Sequence, residues 1–112
     1  MRILVTTTRM PFTLALIRKL ARAGHTMFAS DTFDDAPGNH SRFSAHHYVT
    51  ASPRHATRQF IDDLKKILVE QKIDLLVPCM EEVFYISHHR QELSELTRVF
   101  CSPFETLAQL HH

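Results

Sequence analysis

Two polar segments of the sequence each follow an apolar run, and they contain the side chains best suited to chemistry. The run Ile3-Leu4-Val5 leads into Thr6-Thr7-Thr8-Arg9-Met10, which supplies hydroxyls and a guanidinium. The run 73–77 leads, after Pro78, into Cys79-Met80-Glu81-Glu82, which supplies two carboxylates. If the two segments lie together, their guanidinium and carboxylates suit a small zwitterion such as an amino acid, or a substrate that carries a carboxylate. The predicted substrate-binding residues are Thr7, Thr8, Arg9, Met10, Glu81 and Glu82, and no catalytic residue is predicted.

The acidic residues near these segments also have structural interpretations. Glu81 and Glu82 precede a helical pattern, where acids commonly stabilise a helix N-terminus. Asp31 ends a second apolar run, where an acid can bind a ribose hydroxyl of a dinucleotide, but it suits a turn equally well. The dinucleotide fingerprint needs glycines in the first turn, and the only glycines of this chain are Gly24 and Gly38. An NAD(P) or flavin site is therefore the weaker interpretation.

The nine histidines and two cysteines do not follow a metal-site pattern. Six histidines form adjacent doublets at 46–47, 88–89 and 111–112, and neighbouring residues on a helix point in different directions. No Cys-x-x-Cys or His-x-x-x-His spacing is present. Cys79 and Cys101 do not make a disulfide framework, and a reducing compartment would keep them as thiols. We therefore predict no metal site.

The spacing of apolar residues predicts the elements that position the two polar segments. Runs of β-branched and apolar residues predict strands, and apolar residues at helical spacing predict helices. A long polar loop, Thr32 to His47, is expected before a short third strand. The predicted strands are 3–5, 26–31, 48–50, 73–78 and 99–101, and the predicted helices are 11–23, about 58–70, about 83–93 and 104–110.

This alternation predicts an α/β fold, a three-layer α/β/α Rossmann-like sandwich with a parallel sheet of about five strands. The expected strand order is 3-2-1-4-5, which places strand one beside strand four. Ligands of such sheets bind beyond the carboxyl ends of the strands, at the point where the strand order reverses. The segments that contain Arg9 and Glu81 should therefore meet at one crevice.

Length and charge limit the classes of protein to consider. The 112 residues predict a single domain, 1–112. A formal net charge of +1, with acids and bases mixed along the chain, does not support binding to nucleic acid or to a membrane surface. No apolar run approaches the roughly 18 residues of a membrane-spanning helix. We expect a cytoplasmic protein.

Several segments together resemble the N-terminal, pre-ATP-grasp domain of ATP-grasp superfamily proteins, in the branch near the carbamoyl-phosphate synthase large chain. The resemblance covers nearly the whole chain, and its most specific part is the Pro-x-x-Glu-Glu after the fourth strand. The segments that carry it are Ile3–Thr6, Arg9–Pro11, Leu14–Leu16, Tyr48-Val49, Ser52–Arg54, Phe60-Ile61, Ile73–Pro78, Glu81–Phe84, Val99-Phe100, Pro103–Glu105 and Leu107.

The resemblance implies that this domain precedes an ATP-grasp unit, which binds ATP and magnesium and makes an acyl-phosphate that an amine or thiol attacks. It therefore implies an N-terminal fragment of a carboxylate–amine or carboxylate–thiol ligase that is inactive alone and holds no cofactor. The missing C-terminal unit and a small carboxylate or amine substrate are then the partners, with a homodimer as a further candidate. Two alternatives stay open, a non-enzymatic Rossmann-like interaction or regulatory module and, more weakly, an NAD(P)-binding domain.

Overall fold

The protein consists of alternating strands and helices. The structure is a computed structural model that describes residues 1–6, 11–32, 43–78 and 82–100. For Pro11, Phe12, Glu82 and Phe84 only the backbone is described. The strands are β1 (Arg2–Val5), β2 (Thr26–Asp31), β3 (Ser44–Val49), β4 (Leu75–Val77) and β5 (Arg98–Val99). The helices are α1 (Pro11–Arg22), α2 (Thr57–Glu70), α3 (Glu82–His88) and α4 (Arg90–Ser94).

The five strands form one parallel sheet in the order β3-β2-β1-β4-β5. This confirms the predicted α/β fold and strand order. β1 lies at the centre, where Ile3, Leu4 and Val5 are all 0% exposed. A strand that is covered on both faces can be apolar at every position, which explains the unbroken run at the start of the sequence.

Successive residues of β1 point to opposite faces of the sheet and contribute to two separate cores. Ile3 and Val5 pack with Ile17 of α1 on one face. Leu4 packs on the other face, with residues of α2, α3 and α4 that include Leu64, Ile86 and Leu93. The sheet therefore lies between a layer with α1 and a layer with the other three helices.

The predicted end of the first helix and the predicted apolar face of the second are confirmed. α1 is followed by Gly24 at φ +98°, a left-handed conformation that favours glycine, and Gly24 N donates to Ala21 O at 3.0 Å. In α2, the five residues of the predicted apolar stripe are all buried. They are Phe60, Ile61, Leu64, Ile67 and Leu68.

The predicted fourth and fifth strands are shorter in the structure, at Leu75–Val77 and Arg98–Val99, and two further predicted elements differ more. The sequence predicts a polar loop as far as His47, but β3 already begins at Ser44 and includes His46-His47. β3 is an edge strand with mostly exposed side chains, so it carries no apolar periodicity, and its pairing with β2 defines it instead. The predicted third helix is divided at His89 into α3 and α4, and Ile86 of the first and Leu93 of the second both pack in the core. The predicted final helix, 104–110, lies outside the described residues.

Candidate functional site

The polar residues that are buried as a whole, within the described part of the chain, all lie at the carboxyl edge of the sheet. Four of them end or directly follow a strand, and the fifth, Thr13, lies in the first turn of α1. Because burying a polar group costs free energy, their concentration at one edge requires an explanation. We call them the carboxyl-edge cluster: Thr6, Thr13, Ser30, Asp31 and Thr50, of which Thr50 is 5% exposed and the others 0%.

The backbone fixes the strand ends that carry this cluster. Thr6 N donates to Val77 O at 3.2 Å, which joins the end of β1 to the end of β4. Thr50 N donates to Asp31 O at 3.0 Å, which joins the end of β3 to the end of β2. Four neighbouring strands therefore end in a hydrogen-bonded frame. Polar side chains on such a frame are held in place before any ligand arrives.

Two hydroxyls of the cluster have no hydrogen-bond partner within the described ranges. They are Thr13 Oγ1 and Thr50 Oγ1. A buried polar atom without a partner costs about 1–3 kcal/mol, and native proteins contain few of them. A hydroxyl both donates and accepts, so each of these two can bind a carboxylate oxygen or an ammonium group.

Asp31 is the buried carboxylate of the cluster. Its Oδ1 accepts a hydrogen bond from the backbone N–H of Thr32 at 2.6 Å, and its side chain is 0% exposed. A carboxylate bonded to the next backbone N–H is typical of a turn aspartate, so the bond to Thr32 favours the turn interpretation over the dinucleotide interpretation.

The strands that precede the two predicted binding segments lie side by side in the sheet. β1 and β4 are neighbours in the sheet, with Val5 opposite Val77, so the segments that follow them start at adjacent positions on the carboxyl edge. The predicted substrate-binding residues Thr7, Thr8, Arg9, Met10 and Glu81 lie outside the described residues. Glu82 is the first residue of α3, and only its backbone is described.

A second polar group lies on the surface between α2 and α4. Glu92 accepts hydrogen bonds from Arg58 and pairs with Lys65, and Arg58 Nη2 also lies 2.8 Å from Asp62 Oδ1. His89 Nδ1 lies 3.4 Å from Glu92 Oε2. The hydrogen bond from Arg58, and then that from Lys65, lowers the pKa of Glu92 from 4.5 to about 2. The hydrogen bond to Glu92, and then that to Asp62, raises the pKa of Arg58.

This ion-pair group connects two helices rather than surrounding a reactive centre. Its charges compensate one another, and the side chains of Arg58 and Asp62 are 57% and 52% exposed. A shallow depression of about 280 Å³ lies beside it, lined by His88, His89, Gln91, Glu92 and Glu95. Even so, within the described residues no group of three or more His, Cys, Asp or Glu side chains is arranged to hold a metal ion.

The sequence interpretation did not single out Thr13, Ser30 or Thr50. Threonine and serine give no periodic signal, because the same residues are common on exposed surfaces. Their positions did contain information, since Ser30 and Thr50 lie at the ends of predicted strands. A search for hydroxyl residues at every strand end would have found both of them, whereas the burial of Thr13 depends on how α1 packs on the sheet.

No protein-family model matches this chain, and no curated protein matches it in sequence. Because these comparisons give no family, the function must be inferred from the fold and from the carboxyl edge.

Within the described residues, no helix is both long enough and apolar enough to cross a membrane.

Proposed function

We propose that this chain is the N-terminal, pre-ATP-grasp domain of an ATP-dependent carboxylate–amine or carboxylate–thiol ligase, and that its carboxyl edge forms one wall of the substrate site. The substrate class is a small molecule with a carboxylate or an amine, such as an amino acid. In this proposal the chain alone is catalytically inactive and acts in the cytoplasm. ATP and magnesium belong to an ATP-grasp unit that follows this domain in the parent ligase.

The observation that carries the proposal is the concentration of buried polar side chains at the carboxyl edge. In sheets of this topology, ligands bind beyond that edge, and here it contains the unpartnered hydroxyls of Thr13 and Thr50. Hydroxyl donors and acceptors suit a small polar ligand, whereas a pyrophosphate needs bare backbone N–H groups at a glycine-rich turn. The resemblance of the ordered segments to the pre-ATP-grasp domain gives the family.

Each proposed residue has a defined role in binding. The guanidinium of Arg9 pairs with the substrate carboxylate, and the carboxylate of Glu81 pairs with its amine. Thr50 and Thr13 add uncharged hydrogen bonds within the same edge. Because these groups bind and orient the substrate without bond chemistry, removing them should weaken binding in the isolated chain and raise KM in the parent ligase.

The test is a titration of the isotope-labelled chain, followed by NMR, with amino acids, dicarboxylates and NAD. We expect one of the first two classes to shift the amide signals of Thr6, Asp31 and Thr50. Thr50→Val, which deletes the hydroxyl and keeps the shape, should raise the Kd roughly ten- to hundredfold. The matched control is Thr26→Val, because Thr26 is an exposed residue at the opposite end of β2.

Three results would contradict the proposal. Shifts that appear only with NAD would favour the dinucleotide alternative. Equal effects of Thr50→Val and Thr26→Val would remove the carboxyl edge from the binding site. A reading frame that ends near residue 112 would exclude the parent ligase, whereas a frame that continues with ATP-grasp signatures would support it.

A non-enzymatic interaction module is the second candidate, and a different observation favours it. The sheet ends on one side in the exposed strand β3, where Val49 is 50% exposed. Uncovered edge strands are a common route for binding another chain. This candidate predicts no small-molecule response at the carboxyl edge in the same titration.

A further inference from the structure

β3 is an edge strand whose outer side is accessible. Among the described strands it pairs with β2 alone, since it is the first strand in the sheet order. Thr50 N donates to Asp31 O, so the backbone groups of Thr50 point towards β2. Backbone direction alternates along a strand, so the N–H of Val49 points to the outer edge. Val49 is also 50% exposed, which leaves room for another strand to approach.

Apart from an irregular register with β2 between Ser44 and His46, β3 lacks the features that normally prevent edge pairing. Proteins protect edge strands with lysine, proline or charged side chains, or by keeping the strands short. β3 has six residues, Ser-Ala-His-His-Tyr-Val, without proline, lysine or an acidic residue. The opposite edge, β5, is only two residues long and contains the exposed Arg98. The sheet is therefore protected at one edge and open at the other.

A groove of about 220 Å³ runs beside this open edge, between β3 and α2. Of its charged residues, Asp63 is already used within the chain, because it accepts hydrogen bonds from Ala51 N at 2.8 Å and Gln59 Nε2 at 2.7 Å. Lys66 and Glu70 are exposed and make no ion pair or side-chain hydrogen bond within the described ranges. The groove is lined by Tyr48, Val49, Asp63, Lys66, Ile67 and Glu70.

Lys66 and Glu70 differ in this respect from the other charges of α2. Arg58 and Lys65 both pair with Glu92, and Arg58 also pairs with Asp62. Lys66 and Glu70 are opposite charges one helical turn apart on the face that borders the open edge. A charge pattern of this kind is complementary to itself when a second helix runs antiparallel to the first.

We propose that the outer edge of β3 and the adjoining face of α2 form a two-fold interface, through which two copies of this chain join their sheets edge to edge. Antiparallel pairing of β3 with β3 of the second copy follows from the two-fold axis. The same axis runs the two α2 helices antiparallel and brings Lys66 of each copy towards Glu70 of the other. Val69, which is 60% exposed and three residues after Lys66, adds apolar surface.

The test is a charge swap followed by sedimentation equilibrium of the full chain. Lys66→Glu and Glu70→Lys each place like charges opposite one another at two symmetric positions, so each single variant should raise the dimer Kd about tenfold. The double variant Lys66→Glu/Glu70→Lys restores opposite charges and should recover the dimer. A mixture of the two single variants should form a heterodimer in preference to either homodimer.

Lys19→Glu is the matched control, because Lys19 is an exposed lysine on α1, on the other face of the sheet. It should leave the Kd unchanged. Hydrogen exchange gives a second readout, and the Val49 amide should become more protected as the chain concentration rises. A wild-type chain that stays monomeric at several hundred micromolar would overturn the proposal. A dimer that responds equally to Lys66→Glu and Lys19→Glu would overturn it as well, and would place the interface on another surface.

Discussion

At the amino end of the sheet, Arg2 Nε donates to Gln71 O at 2.6 Å, and Gln71 Nε2 donates to Tyr48 Oη at 2.6 Å. Arg2 N also donates to Asp74 Oδ2 at 2.8 Å. These groups are exposed or part-buried, yet they are paired. At the carboxyl end, the hydroxyls of Thr13 and Thr50 are buried and have no partner within the described ranges. The amino end has one such hydroxyl within those ranges, that of Ser44 at the start of the edge strand β3.

The exposed groups are paired and the buried hydroxyls are not, although a missing partner costs more free energy in a buried site. An exposed polar group that lacks a protein partner can bind water, so pairing it adds only modestly to stability. A buried polar group without a partner loses that option and destabilises the folded chain. The carboxyl end therefore carries groups that lower stability and remain available to a ligand, whereas the amino end joins β1 to the segment before β4. The two ends should respond in opposite ways to substitution.

Arg2→Ala should give the largest effect, because it removes three interactions at the amino end. The side chain donates to Gln71 O and to Gln71 Oε1, at 2.6 and 3.2 Å, and its guanidinium carbon lies 4.8 Å from the centre of the Phe28 ring. We expect a loss of about 2 kcal/mol in the free energy of unfolding, measured by urea denaturation. Ligand binding at the carboxyl edge should not change.

The matched control for Arg2→Ala is Arg54→Ala, since Arg54 is an exposed arginine in the turn before α2. That substitution should change stability by less than about 0.5 kcal/mol. If the two variants lose equal stability, the amino-end contacts contribute nothing specific. The two ends would then differ only in the buried hydroxyls of the carboxyl end.

Much of the fold could be predicted because its signals are local. The unbroken run Ile3-Leu4-Val5 predicts a central strand, and the stripe from Phe60 to Leu68 predicts the buried face of α2. Both are confirmed. The start of β3 could not be predicted, because Ser44 to His47 become a strand only by pairing with β2, which is distant in sequence. Periodicity does not report contacts of that kind.

The candidate site was less predictable than the fold. The strand order placed the crevice beside β1 and β4, and the structure confirms that these strands are neighbours. The roles of Arg9 and Glu81 stay predictions, since both residues lie outside the described ranges. Buried hydroxyls such as Thr13 Oγ1 were missed because the burial of a threonine depends on tertiary packing, which its neighbours in sequence do not encode.

Gly24→Ala should reduce stability by about 1 kcal/mol at the amino end. Gly24 adopts φ +98°, which is unfavourable for alanine, and a Cβ atom there would meet nothing within 4 Å. The cost is therefore one of backbone conformation, without a steric clash. Gly24→Asn is the control, because asparagine tolerates the left-handed region and should lose less. Equal losses in urea denaturation would show that the backbone angle does not set the cost.

Thr50→Val should have the opposite sign, because it removes a buried hydroxyl that has no partner within the described ranges. We expect the free energy of unfolding to stay the same or to rise by up to about 1 kcal/mol in the ligand-free chain. Thr13→Val should behave in the same way. A loss of more than about 1 kcal/mol in urea denaturation would show that these hydroxyls do have partners. The two ends of the sheet would then not differ in how their polar groups are paired.

Glu92→Gln should have the smallest effect, and pH reveals it. Glu92 is paired and partly exposed, so it resembles the amino-end groups in pairing but joins two helices instead of strands. Because its pKa is lowered to about 2 in the folded chain, its stabilising contribution is complete above pH 4.5 and is lost as pH falls towards 2. The urea midpoints of wild type and Glu92→Gln should therefore differ near pH 6 and converge between pH 4.5 and 2. Glu95→Gln is the control, since Glu95 makes no ion pair within the described residues, and its difference from wild type should not narrow in this way. A difference in urea midpoint that stays constant across this range would mean that the contacts of Glu92 with Arg58 and Lys65 do not stabilise the folded chain. The paired groups that stabilise this protein would then be those that connect strands.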